Sequence, residues 1–335
     1  MTQESSSNHK PDPLVEASHL TVRFDAGRKG FWGQQRQIVH AVEDVSFTIR
    51  SGETVGLVGE SGSGKSTTGR AILRRVPLTA GRIVFDGRDI TRLQERQLRP
   101  IRRNMQMVFQ DPYASLNPRM RVVEIIAEPL IVHGMVDSLK AATSHVAELL
   151  EMVGLPIDAG RRYPHAFSGG QRQRIGIARV LALHPAFVVA DEPVSALDVS
   201  IRAQVVNLMQ ELQQRLELAY LFIAHDLAVV RHISHRIAIM YAGKIVEMAD
   251  RDAIYNAPVH PYTEALLTAV PIPDPKVQKQ RERRVYAGEV PNPLEPPPGC
   301  RFQSRCPLQT EQCRIEPPPM LEVHPGHWVA CWNRP

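Results

Sequence analysis

Residues 59–66 form a loop whose composition is suited to holding phosphate. They read GESGSGKS, which fits the pattern G-x-x-x-x-G-K-[ST], and they lie between a strand predicted at 53–58 and a helix predicted at 65–75. Glycines let backbone N–H groups and the helix N-terminus face phosphate oxygens. Lys65 then reaches the β- and γ-phosphates, and Ser66 offers a hydroxyl to Mg²⁺. A flexible Gly/Ser turn is the alternative interpretation. The residues predicted to bind ATP are Gly59, Ser61, Gly62, Ser63, Gly64, Lys65, Ser66 and Thr67.

Two adjacent carboxylates end a second apolar strand, predicted at 187–190. Parallel strands bring their carboxyl ends to one edge of a sheet, so we expect Asp191 and Glu192 to lie beside the phosphate loop. Asp191 is then placed to hold Mg²⁺ together with Ser66, and Glu192 to polarise an attacking water as general base. An ordinary exposed strand end is the alternative. Following a phosphate loop, the pair predicts hydrolysis of the bound ATP.

A third segment, FSGGQRQR at 167–174, places a Ser-Gly-Gly turn at the start of a predicted helix. Such a turn forms a second helix N-terminus that can bind phosphate, although an ordinary N-cap is the alternative. Two anion sites in one chain imply a nucleotide held between two chains. The segment resembles the signature of ABC ATPases. The resemblance implies contact with ATP on a partner subunit by Ser168, Gly169, Gly170 and Gln171.

Three further residues gain a role only through this resemblance. Gln110 resembles the Q-loop glutamine, which implies contact with Mg²⁺ and the membrane subunits. Asp198, at the end of SALD at 195–198, resembles the D-loop. His225 resembles the switch histidine that fixes the γ-phosphate and water, whereas a lone histidine is otherwise more often structural. The residue that stacks on adenine stays unassigned among Phe31, Trp32, Val39 and His40.

The chain of 335 residues alternates apolar strands with helical patterns, as α/β proteins do. With the motifs above, this layout is similar to a P-loop ABC ATPase cassette, a RecA-like mixed sheet core plus a helical subdomain. We place a disordered N-terminus at 1–13 and the cassette at 14–262, with its helical subdomain at about 111–183. A separate, small Cys-containing C-terminal extension follows at 263–335. The absence of an internal repeat indicates a single cassette.

Charge and hydropathy narrow the classes of function. The net charge of +5 comes from interspersed basic and acidic residues, which indicates a solvated surface rather than a nucleic-acid site. The N-terminus lacks the apolar stretch of a signal peptide, and no apolar run reaches the ~18 residues of a membrane helix. With the resemblance, we expect a protein peripheral to the cytoplasmic face of the inner membrane that binds no nucleic acid.

Four parts of the chain resemble ATP-binding subunits of dipeptide and oligopeptide importers, most closely the second such subunit. They are FQDPYASLNP at 109–118, YPH at 163–165, HPYTEALL at 260–267, and a tail with GEVP at 288–291, GCRF at 299–302 and HWVAC at 327–331. The resemblance implies an ATPase that energises peptide import. Its implied partners are a homologous ATPase or a second copy of the chain, two transmembrane permeases and an extracytoplasmic peptide-binding protein. Importers of nickel, glutathione or sugars, and a non-transport soluble ABC ATPase, are the alternatives.

All cysteines fall in the last 36 residues, at Cys300, Cys306, Cys313 and Cys331. In a chain without an export signal, disulfides are disfavoured and metal ligation is favoured. Four thiolates suit a [4Fe–4S] cluster or tetrahedral zinc. The spacing lacks the paired C-x₂-C of many zinc ribbons, and the family's extension is associated with a cluster in some members. The prediction is therefore a [4Fe–4S] cluster, with zinc or no metal as alternatives and His324 and His327 as substitute ligands.

Overall fold

Two β-sheets carry the fold in this computed structural model, which describes residues 12–29, 35–111, 115–269 and 288–334. The smaller, antiparallel sheet consists of β1 (Val15–Lys29), β2 (Gln35–Ile49), β4 (Ala80–Phe85) and β5 (Arg88–Asp89), in the spatial order β2-β1-β4-β5. The larger sheet consists of β3 (Thr54–Val58), β6 (Met105–Val108), β7 (Phe187–Asp191), β8 (Ala219–Ala224), β9 (Arg236–Tyr241), β10 (Lys244–Asp250), β11 (Leu321–His324) and β12 (His327–Val329). Its spatial order is β11-β12-β10-β9-β3-β8-β7-β6.

Five neighbouring strands of the larger sheet, β9-β3-β8-β7-β6, run parallel. Strands β3, β7 and β8 are buried over their whole length, as is usual where helices cover both faces of a sheet. Because parallel strands end at a common edge, the loops after β3, β6, β7 and β8 leave the sheet together. These loops hold Gln110, Glu192 and His225, and the loop after β3 leads into Lys65 at the start of the next helix. The mixed sheet with its helices confirms the predicted α/β fold class.

Helices cover the sheets and form a group of their own between β6 and β7. The helices are α1 (Lys65–Ile72), α2 (Glu95–Arg102), α3 (Val122–Val132), α4 (Leu139–Met152), α5 (Gly169–Leu181), α6 (Val199–Leu216), α7 (Leu227–Ile233), α8 (Arg251–Asn256), α9 (Pro261–Ala269) and α10 (Gln312–Ile315). Between β6 and β7 the described residues contain α3 to α5 and no strand. The boundaries of this subdomain at 111 and 183 stay a prediction, as do the other domain boundaries.

Several sequence predictions fall on residues that the structure does not describe. The disorder predicted for the N-terminus concerns mainly residues 1–11, and residues 270–287 of the predicted extension are also not described. Phe31 and Trp32, two candidates for stacking on adenine, also lie outside the described residues. Among the helices that are described, none is long and apolar enough to cross a lipid bilayer.

The C-terminal extension is joined to the cassette through the larger sheet. Strand β12 pairs antiparallel with β10, where Val329 lies opposite Glu247. The Glu247 side chain is fully buried, with His327 Nε2 lying 2.7 Å from Oε1 and the backbone N–H of His260 donating to Oε2 at 2.9 Å. The prediction of a separate appendage is therefore wrong. A three-residue strand carries too little periodicity to reveal a pairing partner 80 residues away along the chain.

We expect His327→Ala to lower the free energy of unfolding by about 1–3 kcal/mol at neutral pH, because a buried acceptor would lose its partner. Urea unfolding followed by circular dichroism measures this change. His324→Ala is the matched control, because His324 is an exposed histidine in the same hairpin. Equal losses of stability in the two variants would contradict the proposed pairing energy.

The same carboxylate predicts how stability depends on pH. Burial disfavours the ionised form of Glu247, but hydrogen bonds from His327 and from the backbone outweigh this effect and hold its pKa below the usual 4.5. The unfolded chain therefore binds this proton more readily than the folded chain. The stabilisation is present above pH 4.5 and is lost as the pH falls through the lower folded-state pKa.

Candidate active site

The phosphate loop lies between β3 and α1, as the sequence predicts. Gly64 is the N-cap of α1 and adopts a left-handed φ of 101°, a conformation that favours glycine. Lys65 is 4% exposed, and its Nζ donates to the carbonyl oxygens of Gly59 at 2.8 Å and Glu60 at 2.7 Å. Burial lowers the Lys65 pKa, although Glu192 and other nearby carboxylates oppose that shift. A desolvated ammonium held on the loop is well placed to pair with phosphate oxygens.

Oxygen ligands suited to Mg²⁺ lie next to the loop. Ser66 Oγ donates to Asp191 Oδ1 at 2.6 Å, and Arg70 Nη2 lies 3.7 Å from Oδ2. Asp191 is 2% exposed, and burial raises its pKa despite the hydrogen bond from Ser66 and the charge of Arg70. A buried carboxylate beside a hydroxyl is the hard-oxygen donor set that Mg²⁺ takes, so these two residues fit the predicted metal.

Three predicted catalytic residues meet at one carboxylate oxygen. Gln110 Nε2 donates to Glu192 Oε2 at 3.1 Å, and His225 Nδ1 lies 3.4 Å from the same oxygen. Glu192 has a left-handed φ of 47°, which is rare for a residue with a side chain and is held here by a bond from its N–H to the Ile223 carbonyl at 3.0 Å. This arrangement directs the carboxylate into the space in front of the phosphate loop, where an attacking water would stand.

A cavity of about 580 Å³ opens in front of these groups, within the size range of small-ligand sites. Most of the predicted ATP-binding and catalytic residues line it: Ser61, Gly62, Gly64, Lys65, Ser66, Thr67, Gln110 and Glu192. Val39, His40 and Ala41 also line it. The remaining predicted residues of this site, Gly59, Ser63, Asp191 and His225, lie beside the cavity without lining it.

The signature and the D-loop do not reach this cavity. Ser168 is the exposed N-cap of α5 and forms a capping box with Gln171, whose Oε1 accepts from the Ser168 N–H at 3.1 Å. Gly170 is required for packing, because an added Cβ would lie 2.3 Å from Ile201 Cγ2 on α6. Gly169 and the exposed Asp198 flank the same contact between α5 and α6. An exposed helix N-terminus away from the chain's own cavity suits contact with a second subunit.

The four cysteines are free thiols gathered in one region. The Cys300 N–H donates to the Cys313 carbonyl at 2.8 Å. Burial, together with the charges of Cys313, Cys306 and Cys331, raises the Cys300 pKa to about 11. Thiols are the right donor type for a cluster, but no group of three His, Cys, Asp or Glu among the described residues is arranged to hold a metal ion. His327 is engaged by Glu247 instead. The side-chain positions therefore do not form a metal site.

Comparison with known proteins gives the family. A family model described as "ABC transporter" matches residues 42–195, and one described as "Oligopeptide/dipeptide transporter, C-terminal region" matches residues 246–313. The ATP-binding protein YkfD of Bacillus subtilis (strain 168) is 53% identical over 319 residues, which cover 95% of each chain. The chain belongs to the ABC transporter ATP-binding proteins.

Other relatives of this ABC ATP-binding protein agree. "Oligopeptide transport ATP-binding protein AppF" of Bacillus subtilis (strain 168) is 52% identical over 305 residues, 91% of this chain and 92% of that one. The dimeric, post-hydrolysis structure of the ATP-binding cassette MJ0796 with ADP and Pi is 28% identical, with a TM-score of 0.61 over 71% of this chain and 99% of that one. These similarities confirm the predicted cassette fold and the predicted family.

Sequence reasoning missed one part of the site. Val290, Pro291, Asn292, Pro293 and Arg301 of the extension also line the cavity. The segments GEVP and GCRF stood out only as family resemblances, and nothing in their composition points to a nucleotide. A Pro-rich stretch has no periodicity from which its position could be inferred.

Proposed function

We propose that this ABC ATP-binding protein hydrolyses ATP to drive the import of dipeptides or oligopeptides through membrane-embedded partners. The observation that carries the proposal is the convergence of Lys65, Asp191, Glu192 and Gln110 at one edge of the parallel sheet. The peptide substrate is inferred from AppF, which is named for oligopeptide transport, and from the match to a dipeptide and oligopeptide transporter region.

The geometry suggests a role for each residue during hydrolysis. Lys65 and the N-terminus of α1 bind the phosphates, while Ser66, Asp191 and Gln110 are placed to hold Mg²⁺, which neutralises phosphate charge. Glu192 accepts a proton from the attacking water, and the side chains of Gln110 and His225 orient that carboxylate. Ser168 to Gln171 of a second subunit, either another copy or a homologous ATPase, close over the γ-phosphate. Asp198 is proposed to lie where the two subunits meet. Closure requires both subunits, because this chain's signature lies outside its own cavity.

A second groove supports contact with membrane permeases. It has a volume of about 610 Å³, begins directly before Gln110, and is lined by Phe109, Glu128, Val132 and Arg179. Val132 is 54% exposed and Phe109 39%, so two apolar side chains of this groove are accessible to a partner. Because Phe109 of the groove directly precedes Gln110, which contacts Glu192, a permease segment lying there would sense the state of the active site. We therefore propose that the protein acts at the cytoplasmic face of the inner membrane.

Co-purification tests the proposed function. The tagged chain is purified from its native membrane, and its stoichiometric companions are identified by mass spectrometry. We expect two permeases, a second ATPase or a second copy of the chain, and an extracytoplasmic peptide-binding protein.

We expect Val132→Asp to lose the permeases and retain ATP hydrolysis, whereas Ile315→Asp, at an exposed apolar residue outside the groove, retains both. Recovery of ribosomal or DNA-bound material without membrane subunits would contradict transport. Permeases and a binding protein specific for nickel, glutathione or a sugar would replace the peptide with that solute.

We also propose that the four thiols take up a [4Fe–4S] cluster, with zinc as the alternative ligand. Supporting this, all four cysteines of the chain lie in this one segment. Their present arrangement requires side-chain movement before ligation. Anaerobic purification with iron and zinc analysis tests the proposal, and Cys306→Ser should lower the metal content. A metal-free protein after anaerobic purification would overturn it.

A further inference from the structure

The extension forms one wall of the nucleotide cavity. Residues 290–293 and Arg301 line the cavity together with Val39 to Ala41 of the cassette. The His40 N–H donates to the Pro293 carbonyl at 2.9 Å, so a backbone hydrogen bond joins the extension to the cassette at the cavity. This wall belongs to the extension, while the phosphate-binding residues belong to the cassette.

The wall is also tied to the phosphate loop itself. Arg305 Nη1 donates to Glu60 Oε2 at 3.0 Å and to Oε1 at 3.1 Å. The backbone N–H of Glu60 donates to Tyr262 Oη at 3.0 Å. The Tyr262 ring packs against Phe302, whose centroid lies 5.5 Å away. Arg301 therefore belongs to a segment held in place by an ion pair, a hydrogen bond and aromatic contacts.

Arg301 is a buried cation without a partner of its own. Only 8% of it is exposed, and its guanidinium forms no hydrogen bond or ion pair within the described ranges. Burial lowers the Arg301 pKa, partly offset by the charge of Glu43. Glu43 is already engaged, by Arg23 Nε at 2.8 Å and by His40 Nδ1 at 2.7 Å. The Arg301 nitrogens are not among the buried unpaired polar atoms of the described residues, so they keep access to solvent, and a guanidinium without a protein partner on a residue that lines the cavity is available to a ligand there.

The position of Arg301 indicates which part of the nucleotide it meets. Lys65 and Glu192 belong to the phosphate-binding and hydrolytic part of the site, whereas Arg301 lies close enough to Glu43 for their charges to interact, and Glu43 in turn contacts His40 of the cavity lining. Hydrogen bonds from Arg23 and His40 hold the Glu43 pKa below its usual value despite burial, so Glu43 is ionised at neutral pH and repels phosphate. The neutral base and ribose are therefore better suited to the surroundings of Arg301 and Glu43 than the phosphate chain is.

We propose that Arg301 binds the nucleoside part of ATP, so that the C-terminal extension completes the nucleotide site of the cassette. The planar guanidinium can lie on the face of the base and donate to ring nitrogens or ribose hydroxyls. The inference rests on ATP being the substrate, as proposed above. It adds that recognition of the base depends on the extension.

Binding of two ligands tests the inference. Calorimetry measures the affinities of the full-length chain for ATP and for inorganic tripolyphosphate, which lacks the nucleoside. We expect Arg301→Ala to weaken ATP binding by about 5- to 30-fold and to leave tripolyphosphate binding unchanged. We also expect a raised KM for ATP with kcat within twofold of the wild type. Arg314→Ala, at an exposed arginine of the same extension, is the matched control.

Arg301→Gln repeats the measurement with a polar side chain of similar length, in case the alanine variant unfolds. Unchanged ATP affinity in a folded variant, or equal weakening of ATP and tripolyphosphate, would overturn the inference. If the wild type neither binds nor hydrolyses ATP, the proposed function fails instead, and the comparison of wild-type ligands reveals that before any variant is made.

Discussion

Glu192→Gln lowers the rate of ATP hydrolysis by about 10²–10⁴-fold, the usual contribution of a positioned general base, while ATP binding persists. The amide keeps the size of the carboxylate and can still meet Gln110 and His225, which lie 3.1 Å and 3.4 Å from Oε2. It cannot accept a proton from the attacking water. Phosphate release at saturating ATP measures the rate, and calorimetry measures the binding.

Glu211→Gln is the matched control for this variant, because Glu211 is an exposed glutamate of α6 away from the cavity. It should hydrolyse ATP at the wild-type rate. If the Glu192→Gln protein retains more than a tenth of the wild-type rate, Glu192 is not the general base. Loss of ATP binding in the same variant would point to a structural role for its left-handed backbone.

Lys65→Gln is expected to weaken ATP binding and to slow hydrolysis by about 10²–10³-fold, because a buried charge that stabilises the phosphates is lost. The Lys65 side chain is 4% exposed and bonds to carbonyl oxygens of its own loop, so water cannot readily replace its ammonium. Glutamine retains hydrogen-bonding capacity without the positive charge. Titration of ATP by calorimetry and of hydrolysis against ATP concentration separates the two effects.

Lys140→Gln serves as the control for Lys65→Gln, since Lys140 is exposed on α4. Its affinity and rate should equal those of the wild type. Unlike Arg301→Ala, the Lys65 variant should lose affinity for tripolyphosphate as well as for ATP. Retained tripolyphosphate binding in a folded Lys65→Gln protein would contradict the phosphate contact.

The site residues that could be predicted from the sequence are those whose positions depend on neighbouring residues of the chain. A strand, a glycine loop and a helix follow one another at 53–75, so the position of Lys65 could be predicted without knowing the rest of the fold. Glu192 could be predicted because it ends a buried strand, and parallel strands share an edge. The contact of Gln110 with Glu192 joins residues 82 positions apart and was not predicted, because the family resemblance implied only that Gln110 contacts Mg²⁺ and the membrane subunits.

The extension shows where that reasoning ends. Arg305 reaches Glu60 across 245 positions, and His327 reaches Glu247 across 80. Such contacts depend on how the whole chain packs, whereas periodicity reports only on neighbours within an element. The cysteines illustrate the converse, because their spacing indicates a donor set but does not fix the side-chain positions that ligation needs.

The pairing of β12 with β10 affects how this polypeptide can be divided. The middle of β10, the last strand of the cassette, pairs at Glu247 and Met248 with β12 of the β11–β12 hairpin. A fragment ending after α9 would present a bare row of amide and carbonyl groups on β10, the kind of edge that recruits strands from other molecules. We therefore expect a fragment to avoid aggregation through this edge only if it extends through β12. Because β12 is a strand of the cassette sheet, the C-terminal extension is not an independent module that could be exchanged between proteins.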